Sequence, residues 1–346
     1  MQGIKGKYSV DALKVCYRTN QLMYNKLTSN NVVEREYIFK SPNVEDLDIE
    51  DFRIRRIKDS KFDFQILVPD DYVGFSLFGT LTLKSNDDPN FSGKCFIDVD
   101  NKRLYEPFVR YNKVLSWKKN DDCVDVKDLE HMSDYVKLEN NNRLPAETAT
   151  IQYNSVFFLS EISSRLGLEL VSISNLEISF DCNVNFARLL KRTIADEKYI
   201  PVINRKEYID VKSRESIDNA FVTYSTTRSR VKNLTYYIAQ SKKKLQLKCY
   251  DKSNEISKSN KTYIKTWLDM DKNIHRMEIT AKSEPISAFC ESINITLEEF
   301  LENIHIGKYL STAFAGWLNR LIHFKYITNP NSEKISIFEL VGKNKK

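Results

Sequence analysis

Three segments alternate apolar and charged residues with the two-residue period of a half-buried β-strand, and this pattern constrains the fold most. In residues 245–252 (LQLKCYDK), the apolar side chains fall on one face, and Lys248, Tyr250 and Lys252 fall on the other. Residues 173–181 (ISNLEISFD) and 273–282 (NIHRMEITAK) repeat the pattern. Paired strands of this kind would bury their apolar faces together and merge their ionic faces into one polar surface. We therefore predict an α+β fold with an antiparallel β-sheet core and flanking helices.

The ionic faces carry carboxylates as well as cations. Glu177 and Asp181 share a face, about 13 Å apart along the strand, and Glu278 belongs to the third strand. Carboxylate oxygens are ligands typical of Mg²⁺ or Mn²⁺. Tyr250 between two lysines suits attack on a phosphodiester, because the ammonium groups favour the phenolate and attract the phosphate. Taken alone, residues 245–252 favour the alternative of an ordinary basic strand that exposes an aromatic side chain.

The net charge of +6 is unevenly distributed along the 346 residues. Residues 186–282 hold 22 lysines and arginines against 11 acidic residues, which is typical of a nucleic-acid-binding surface. One predicted helix, which follows Asn183, carries three of these cations on one face. This face either contacts phosphates or is only solvated. Eight cations in this helix and in the turns of residues 186–282 are predicted to bind DNA: Arg188, Lys191, Arg192, Arg228, Arg230, Lys242, Lys243 and Lys244.

Composition excludes several classes of protein. A hydrophobic content of 41% argues against general disorder. No run approaches ~18 apolar residues, and the N-terminus lacks an apolar secretory segment, so we expect a cytoplasmic protein without a membrane span. The six cysteines form no CxxC pair, and the four histidines show no zinc-binding spacing. No P-loop or GxGxxG motif is present.

The chain divides into three predicted parts. Residues 1–145 are strand-rich, 146–285 contain the ionic strands, and 286–346 form a helical segment, either a winged unit or a cap on the sheet. The first half is compatible with a diverged copy of the second. We further predict a helix over 148–166 that ends at Gly167, a helix capped by Asn183, a strand over 220–226 and a final strand over 335–341.

Four segments, in this order, resemble the motifs of rolling-circle replication initiators of the Rep_trans type and of the related replication endonucleases of filamentous phage. The counterparts are SNLEISFD at 174–181, LTYYIAQS at 234–241, LKCYDK at 247–252 followed by Glu255, and IHRMEI at 274–279. The resemblance covers roughly residues 170–285. This sequence departs from the family pattern at Asn175, Glu177 and Ala239, where the family usually has arginine, aspartate and glycine.

The resemblance implies a metal-dependent DNA endonuclease and strand transferase that acts at an origin of replication. Tyr250 would attack one phosphodiester and become linked to the 5′ phosphate, leaving a 3′ hydroxyl for a polymerase. Mg²⁺ or Mn²⁺ would bind to Glu177, Asp181 and Glu278. Lys252 would offset charge on the phosphate or the leaving oxygen.

The remaining expectations concern supporting residues, partners and alternatives. Lys248 and Arg276 would position the DNA backbone, and Glu255 would support the site or accept a proton. The expected partners are duplex and single-stranded origin DNA of a plasmid or phage, with a host helicase, a polymerase and a second copy of the chain as further candidates. One alternative is a DNA-binding regulator without catalysis. An RNA-binding platform that uses Tyr224, Tyr236 and Tyr237 for stacking is another.

Overall fold

The computed structural model describes residues 4–28, 36–40, 51–57, 63–70, 74–84, 94–100, 159–160, 162–227, 230–253, 255–256, 263–268, 270, 273–304, 306–331 and 333–343. Two compact units share the chain. The first comprises residues 1–10, 177–293 and 306–346, and the second comprises 11–176 and 294–305. The three-part division predicted from the sequence stays a prediction.

The described helices and strands follow one another along the chain. In chain order they are β1 (Gly6–Thr19), α1 (Gln21–Thr28), β2 (Glu36–Lys40), β3 (Asp51–Arg56), β4 (Asp63–Asp70), β5 (Gly74–Leu83), β6 (Lys94–Asp100), β7 (Leu168–Cys182), α2 (Phe186–Ala195), β8 (Tyr199–Ile203), β9 (Lys206–Glu207), α3 (Val211–Phe221), β10 (Val222–Thr227), β11 (Arg230–Ala239), β12 (Leu245–Asp251), α4 (Tyr263–Leu268), β13 (His275–Lys282), α5 (Ser283–Ser292), α6 (Leu297–Glu302), α7 (Gly307–Leu321), β14 (Ile322–Tyr326) and α8 (Ile337–Lys343). A 3₁₀ turn, Ser241–Lys243, joins β11 to β12.

The first unit is built on a sheet with the strand order β10-β11-β12-β13-β7-β1, and the second unit contains the order β1-β6-β5-β4-β3-β2. Within the first unit, β10, β11, β12 and β13 pair antiparallel in sequence order. Leu247, Met277 and Ile178 are fully buried on the apolar face, as their alternation predicted. The α+β fold with an antiparallel sheet core is therefore confirmed.

Helices of the first unit cover that apolar face. Phe186 of α2 lies 6.3 Å from the ring centroid of Phe180 on β7. In α7, Phe314 and Leu318 are fully buried, and burial of such a side chain stabilises the fold by about 1.5–3 kcal/mol. The Trp317 indole nitrogen donates to the carbonyl oxygen of Pro285 at 3.3 Å. A separate sheet of order β14-β8-β9 completes the unit.

The described strands of the second unit, β1 to β6, lie within the part of the chain that was predicted to be strand-rich. Val15 of β1 pairs with Ile97 of β6 in an antiparallel register, and both side chains are buried. The predicted helix over 148–166 is described from residue 159, and its earlier part lies outside the described residues. Gly167 comes directly after it with φ +60°, a left-handed conformation that glycine adopts without a steric cost.

The structure corrects three of the predicted elements. Asn185, rather than Asn183, caps α2, and its side chain accepts a hydrogen bond from the backbone nitrogen of Arg188 at 2.9 Å. Asn183 instead binds the backbone of Lys5, just before β1. The strand predicted over 220–226 begins at Val222, because α3 continues to Phe221.

The predicted final strand over 335–341 is wrong. Ile335 makes only an isolated bridge to Phe324, and α8 comes after it. Ser336 and Glu339 exchange hydrogen bonds between side chain and backbone, which is the geometry of a capping box. This local signal favours a helix over a strand. The same motif, formed by Thr296 and Glu299, caps the start of α6.

Candidate active site

The ladder between β12 and β13 brings the ionic side chains together. Its antiparallel register places Tyr250 opposite Arg276, Lys248 opposite Glu278, and Gln246 opposite Thr280. Because alternate residues of a strand point to the same face, these pairs form successive rungs on one side of the sheet. On β11, Tyr237 lies opposite Lys248 and extends the same face.

The hydroxyl of Tyr250 lies between a carboxylate and an ammonium group. It donates a hydrogen bond to Glu278 Oε2 at 3.2 Å and accepts one from Lys252 Nζ at 3.3 Å. Lys252 Nζ also lies 5.5 Å from the centroid of the Tyr250 ring. An ammonium donor at the phenol oxygen favours the phenolate, which is the nucleophilic form.

Lys252 was predicted to lie on the exposed ionic face, but its side chain is buried, with only 1% of it exposed. The strand β12 ends at Asp251, and the backbone nitrogen of Lys252 then donates to the carbonyl oxygen of Ile274 at 2.9 Å. Its ammonium pairs with Glu255 at 2.5 Å. A buried ammonium needs such a partner, since an uncompensated one would cost several kcal/mol. Glu255 therefore holds the lysine that contacts Tyr250.

Three carboxylates form the candidate metal centre: Asp11, Glu177 and Glu278. One oxygen of each lies within 4.8 Å of the others. Asp11 directly follows Val10 in β1, and its place is supported by the contacts of that strand with β7. Ser9 and Ser179 share a hydroxyl hydrogen bond of 2.8 Å, and Asn183 donates its backbone nitrogen to the Lys5 carbonyl oxygen at 3.0 Å; the antiparallel register given by these two contacts puts Asp11 opposite Glu177.

Positive charge is already held at this cluster. Lys248 Nζ lies 2.5 Å from Glu278 Oε1 and 3.9 Å from Glu177 Oε1. Burial alone would raise the pKa of Glu278, but hydrogen bonds from Glu177 and Lys248 lower it to about 2. Burial alone would lower the pKa of Lys248, whereas the two glutamates raise it. A cluster of oxygen donors that attracts an ammonium so closely fits Mg²⁺ or Mn²⁺.

Asp181 and Arg276 are bound to each other. The Arg276 guanidinium donates to the two oxygens of Asp181 at 2.7 and 2.6 Å, and both side chains are buried. Asp181 was predicted as a metal ligand and Arg276 as a DNA contact; in the structure each is the other's partner, and both roles stay predictions. Arg276 Nη1 also lies 4.0 Å from Glu278 Oε2 and thus places positive charge beside the glutamate that contacts Tyr250.

The sequence did not single out Asp11 or Lys7. Both belong to β1, more than 150 positions before β7, and no local motif indicates which strands pair over that distance. The alignment that joins Ser9 to Ser179 also puts Lys7 opposite Asp181. Burial lowers the pKa of Lys7 to about 8. The sequence offered one indication that Asp11 and Lys7 are functional, which is that they are charged residues within an otherwise apolar N-terminal strand.

The predicted DNA-binding cations are distributed over different surfaces. On α2, Arg188, Lys191 and Arg192 are exposed, but this helix packs through Phe186 on the apolar side of the sheet, away from Tyr250. Burial lowers the pKa of His275, and the nearby charge of Arg188 lowers it further. His275 also belongs to the apolar side of the sheet.

The turn cations lie at one end of the ladder. Lys242 and Lys243 are exposed, and Lys244 is ion-paired with Glu284. Arg228 and the side chain of Arg230 lie outside the described residues. Of the tyrosines considered for RNA stacking, Tyr236 is fully buried, Tyr237 lies on the ionic face, and the side chain of Tyr224 lies outside the described residues.

Comparisons with known proteins find likenesses among solved structures only. No family model matches the sequence, and no curated protein matches it. A solved structure, the rolling circle replication initiator protein from Geobacillus stearothermophilus, is similar over 98% of this chain and 96% of its own. The TM-score is 0.43 and the sequence identity is 11%, and both are too low to carry a functional argument. None of the described helices is long and apolar enough to cross a membrane.

Proposed function

We propose that this chain is a replication initiator that nicks and rejoins one DNA strand at an origin, with Tyr250 as the nucleophile. The observation that carries the proposal is the placement of the Tyr250 hydroxyl, 3.2 Å from Glu278 and 3.3 Å from Lys252. The three-carboxylate cluster of Asp11, Glu177 and Glu278 includes one of these partners. The four sequence motifs between residues 174 and 279 point to the same activity independently of the structural likeness.

Lys252, rather than a carboxylate base, would activate the tyrosine. Glu278 accepts the phenol hydrogen bond and orients the oxygen, but a carboxylate whose pKa is about 2 is too weak a base to retain the proton. The ammonium of Lys252 stabilises the phenolate, and the proton passes to solvent. Glu255 keeps that ammonium in place through its 2.5 Å ion pair.

The reaction would exchange one phosphodiester bond for another. Tyr250 Oη forms a bond to phosphorus while the bond from phosphorus to the 3′ oxygen breaks, and this oxygen leaves as a hydroxyl after taking up a proton. Reversal of the same step rejoins the strand. Because the energy of the phosphodiester is conserved in the phosphotyrosyl bond, neither direction needs a nucleotide cofactor.

Asp11, Glu177 and Glu278 would hold Mg²⁺ or Mn²⁺, which when bound supplies a positive charge that polarises the scissile phosphate. Lys248 contacts two of these carboxylates and would then turn toward the phosphate backbone. Asp181 would act through Arg276, which it holds beside Glu278, rather than as a ligand. Asp11 thus takes the place that the sequence suggested for Asp181.

A covalent-adduct assay tests this function. Protein and Mg²⁺ are incubated with a supercoiled plasmid that carries the origin of the element encoding this chain, and the products are separated on a denaturing protein gel. We expect a DNA–protein adduct that is lost in Tyr250→Phe and retained in Tyr237→Phe, the matched removal of a hydroxyl on the neighbouring strand. An adduct that persists in Tyr250→Phe would place the nucleophile elsewhere.

A DNA-binding regulator without catalysis is the second candidate. The exposed lysines of the β11–β12 turn favour it, because they can bind phosphates without any chemistry at Tyr250. This function predicts sequence-specific binding, no adduct under any divalent ion, and equal origin affinity in the wild type and Tyr250→Phe. The adduct assay therefore separates the two functions.

A further inference from the structure

We propose that single-stranded DNA lies along the β12–β13 ladder, from Tyr250 to a cationic end formed by Lys242, Lys243, Lys244 and Lys282. This inference rests on the proposed function, because it describes the path of the strand that Tyr250 would cut. We call these four lysines the lysine end of the ladder. The sequence predicted that Lys242, Lys243 and Lys244 bind DNA, whereas Lys282 was not predicted to contact DNA.

The ladder continues beyond the site in a straight register. Lys282 donates its backbone nitrogen to the carbonyl oxygen of Lys244 at 2.9 Å, which adds one more rung after Gln246 and Thr280. Lys282 is the last residue of β13 and faces the same side of the sheet as Tyr250, and Lys244 lies opposite Lys282, just before the start of β12. Tyr250 comes six positions after Lys244, which corresponds to about 20 Å along the strand. This length accommodates several nucleotides of one extended strand.

Charge is concentrated at the lysine end. Lys242, Lys243 and Lys282 are exposed, and Lys244 is about half-exposed. The pKa of Glu284 is lowered, first by its hydrogen bond to Lys244 and further by the charges of Arg320 and Lys242. Several cations thus converge around one carboxylate, and a polyanion is the ligand that balances such an excess.

The backbone holds these lysines in an uncommon conformation. Lys242 and Lys243 have φ values of 56° and 52°, in the left-handed region that residues other than glycine rarely adopt. Hydrogen bonds fix the turn, since Gln240 donates to Leu245 at 2.9 Å and the side chain of Gln246 donates to the Lys243 carbonyl oxygen at 3.1 Å. The turn is therefore a defined feature that presents two adjacent ammonium groups.

Between the two ends lie the ion-paired rung of Lys248 and Glu278 and the neutral rung of Gln246 and Thr280, and the ring of Tyr237 on β11 lies beside them. Tyr237 donates a hydrogen bond to Gln246 at 2.5 Å, which fixes its side chain on this face. Aromatic side chains between cations are the usual means of binding single-stranded nucleic acid, because unpaired bases stack on the rings while phosphates contact the cations. Bases of a duplex are already stacked and paired, so Tyr237 favours a single strand.

A pair of triple variants tests the path. Both are made in the Tyr250→Phe background, and binding of a thymidine oligonucleotide of about 15 nucleotides is measured in EDTA over a range of salt concentrations. The first variant carries Lys242→Gln, Lys243→Gln and Lys282→Gln. The second carries Arg188→Gln, Lys191→Gln and Arg192→Gln on α2, which removes the same charge from the opposite side of the sheet.

We expect the first variant to flatten the dependence of log K on log salt by about two units, because each phosphate contact to a single strand contributes about 0.7. The α2 variant should leave the slope unchanged. Equal slopes in the two variants, or a larger change in the α2 variant, would overturn the proposed path.

Two substitutions of Tyr237 test the stacking step. Tyr237→Leu should weaken oligonucleotide binding about fivefold or more, since stacking on one ring contributes at least about 1 kcal/mol. Tyr237→Phe removes the hydrogen bond to Gln246 but keeps the ring, so its affinity should stay near that of the parent. Similar affinities for the two variants would contradict stacking at this position. Because these assays need neither metal nor nicking, they can fail while the adduct assay succeeds, and the reverse also holds.

Discussion

The charged side chains are buried at one end of the β12–β13 ladder and exposed at the other. At the Tyr250 end, the Arg276–Asp181 pair is buried, and the buried Lys252 is matched by Glu255. At the lysine end, the cations are exposed and the pair between Lys244 and Glu284 faces solvent. Buried pairs fix geometry at a cost in desolvation, whereas exposed charges are screened by salt and adapt to different ligands. One end thus suits chemistry, and the other suits binding of a flexible polyanion.

Loss of the Glu278 carboxylate should have the largest effect and should be confined to the chemistry. Glu278→Gln removes the acceptor of the Tyr250 hydrogen bond and one oxygen donor of the carboxylate cluster. We expect adduct formation to fall by about a hundredfold or more, a loss typical of removing a group that stabilises a transition state. Oligonucleotide affinity should change by no more than a few-fold.

The control for this experiment is Glu284→Gln, the same substitution at the lysine end, which should retain adduct formation. Excess EDTA should abolish adduct formation in the wild type, and Mn²⁺ should replace Mg²⁺. Full activity in EDTA would eliminate the metal centre. Full activity of Glu278→Gln would remove this glutamate from the mechanism.

Breaking the buried pair should mainly reduce stability. Asp181→Asn leaves the fully buried Arg276 guanidinium without its carboxylate, and such a loss typically costs about 3–5 kcal/mol. We expect a corresponding shift of the denaturation curve measured by circular dichroism. The double variant Asp181→Asn with Arg276→Met removes both charges and should recover part of the stability. No recovery would mean that Arg276 is required for packing rather than for its charge.

Sequence alternation predicted the faces of the sheet because that information is local. Residues 245–252 and 273–282 each specify which side chains share a face, and the structure pairs these strands as expected. The course of the chain beyond the end of a strand was not predictable in the same way. Lys252 continues the alternation in sequence, but hydrogen bonds of Lys252 and Ser253 with Ile274 turn the chain and bury its side chain.

The pairing of strands that are far apart in the sequence could not be predicted either. Asp11 joins Glu177 only because β1 pairs with β7, and the contacts that align them, such as the Ser9–Ser179 hydrogen bond, involve residues without a recognisable motif. The partner of Asp181 was hidden for the same reason, since Arg276 lies 95 positions away. The capping box at Ser336 and Glu339 was different, because it was present in the sequence and identifies the final helix.

Acidification should destabilise the Tyr250 end through Glu278. Its pKa in the folded protein is about 2, below the ordinary value of 4.5, so the folded state favours the ionised form. The resulting stabilisation is complete above pH 4.5 and is lost as the pH falls toward 2. Urea denaturation between about pH 7 and about pH 3, without divalent ions, should therefore show a decline that is weaker in Glu278→Gln. An identical decline in the variant would assign the acid sensitivity to other groups.

The smallest effect is expected for stability at the lysine end. Glu284→Gln removes the partner of Lys244 from a pair whose side chains are 41% and 66% exposed, and solvent screening leaves such exposed pairs with little effect on stability. Urea denaturation should give a midpoint close to that of the wild type. The same variant should bind the thymidine oligonucleotide at least as tightly as its parent, because the acidic side chain that pairs with Lys244 has lost its charge. A large loss of stability would show that the pair supports the turn between β11 and β12, and the contrast between the two ends would then be smaller than proposed.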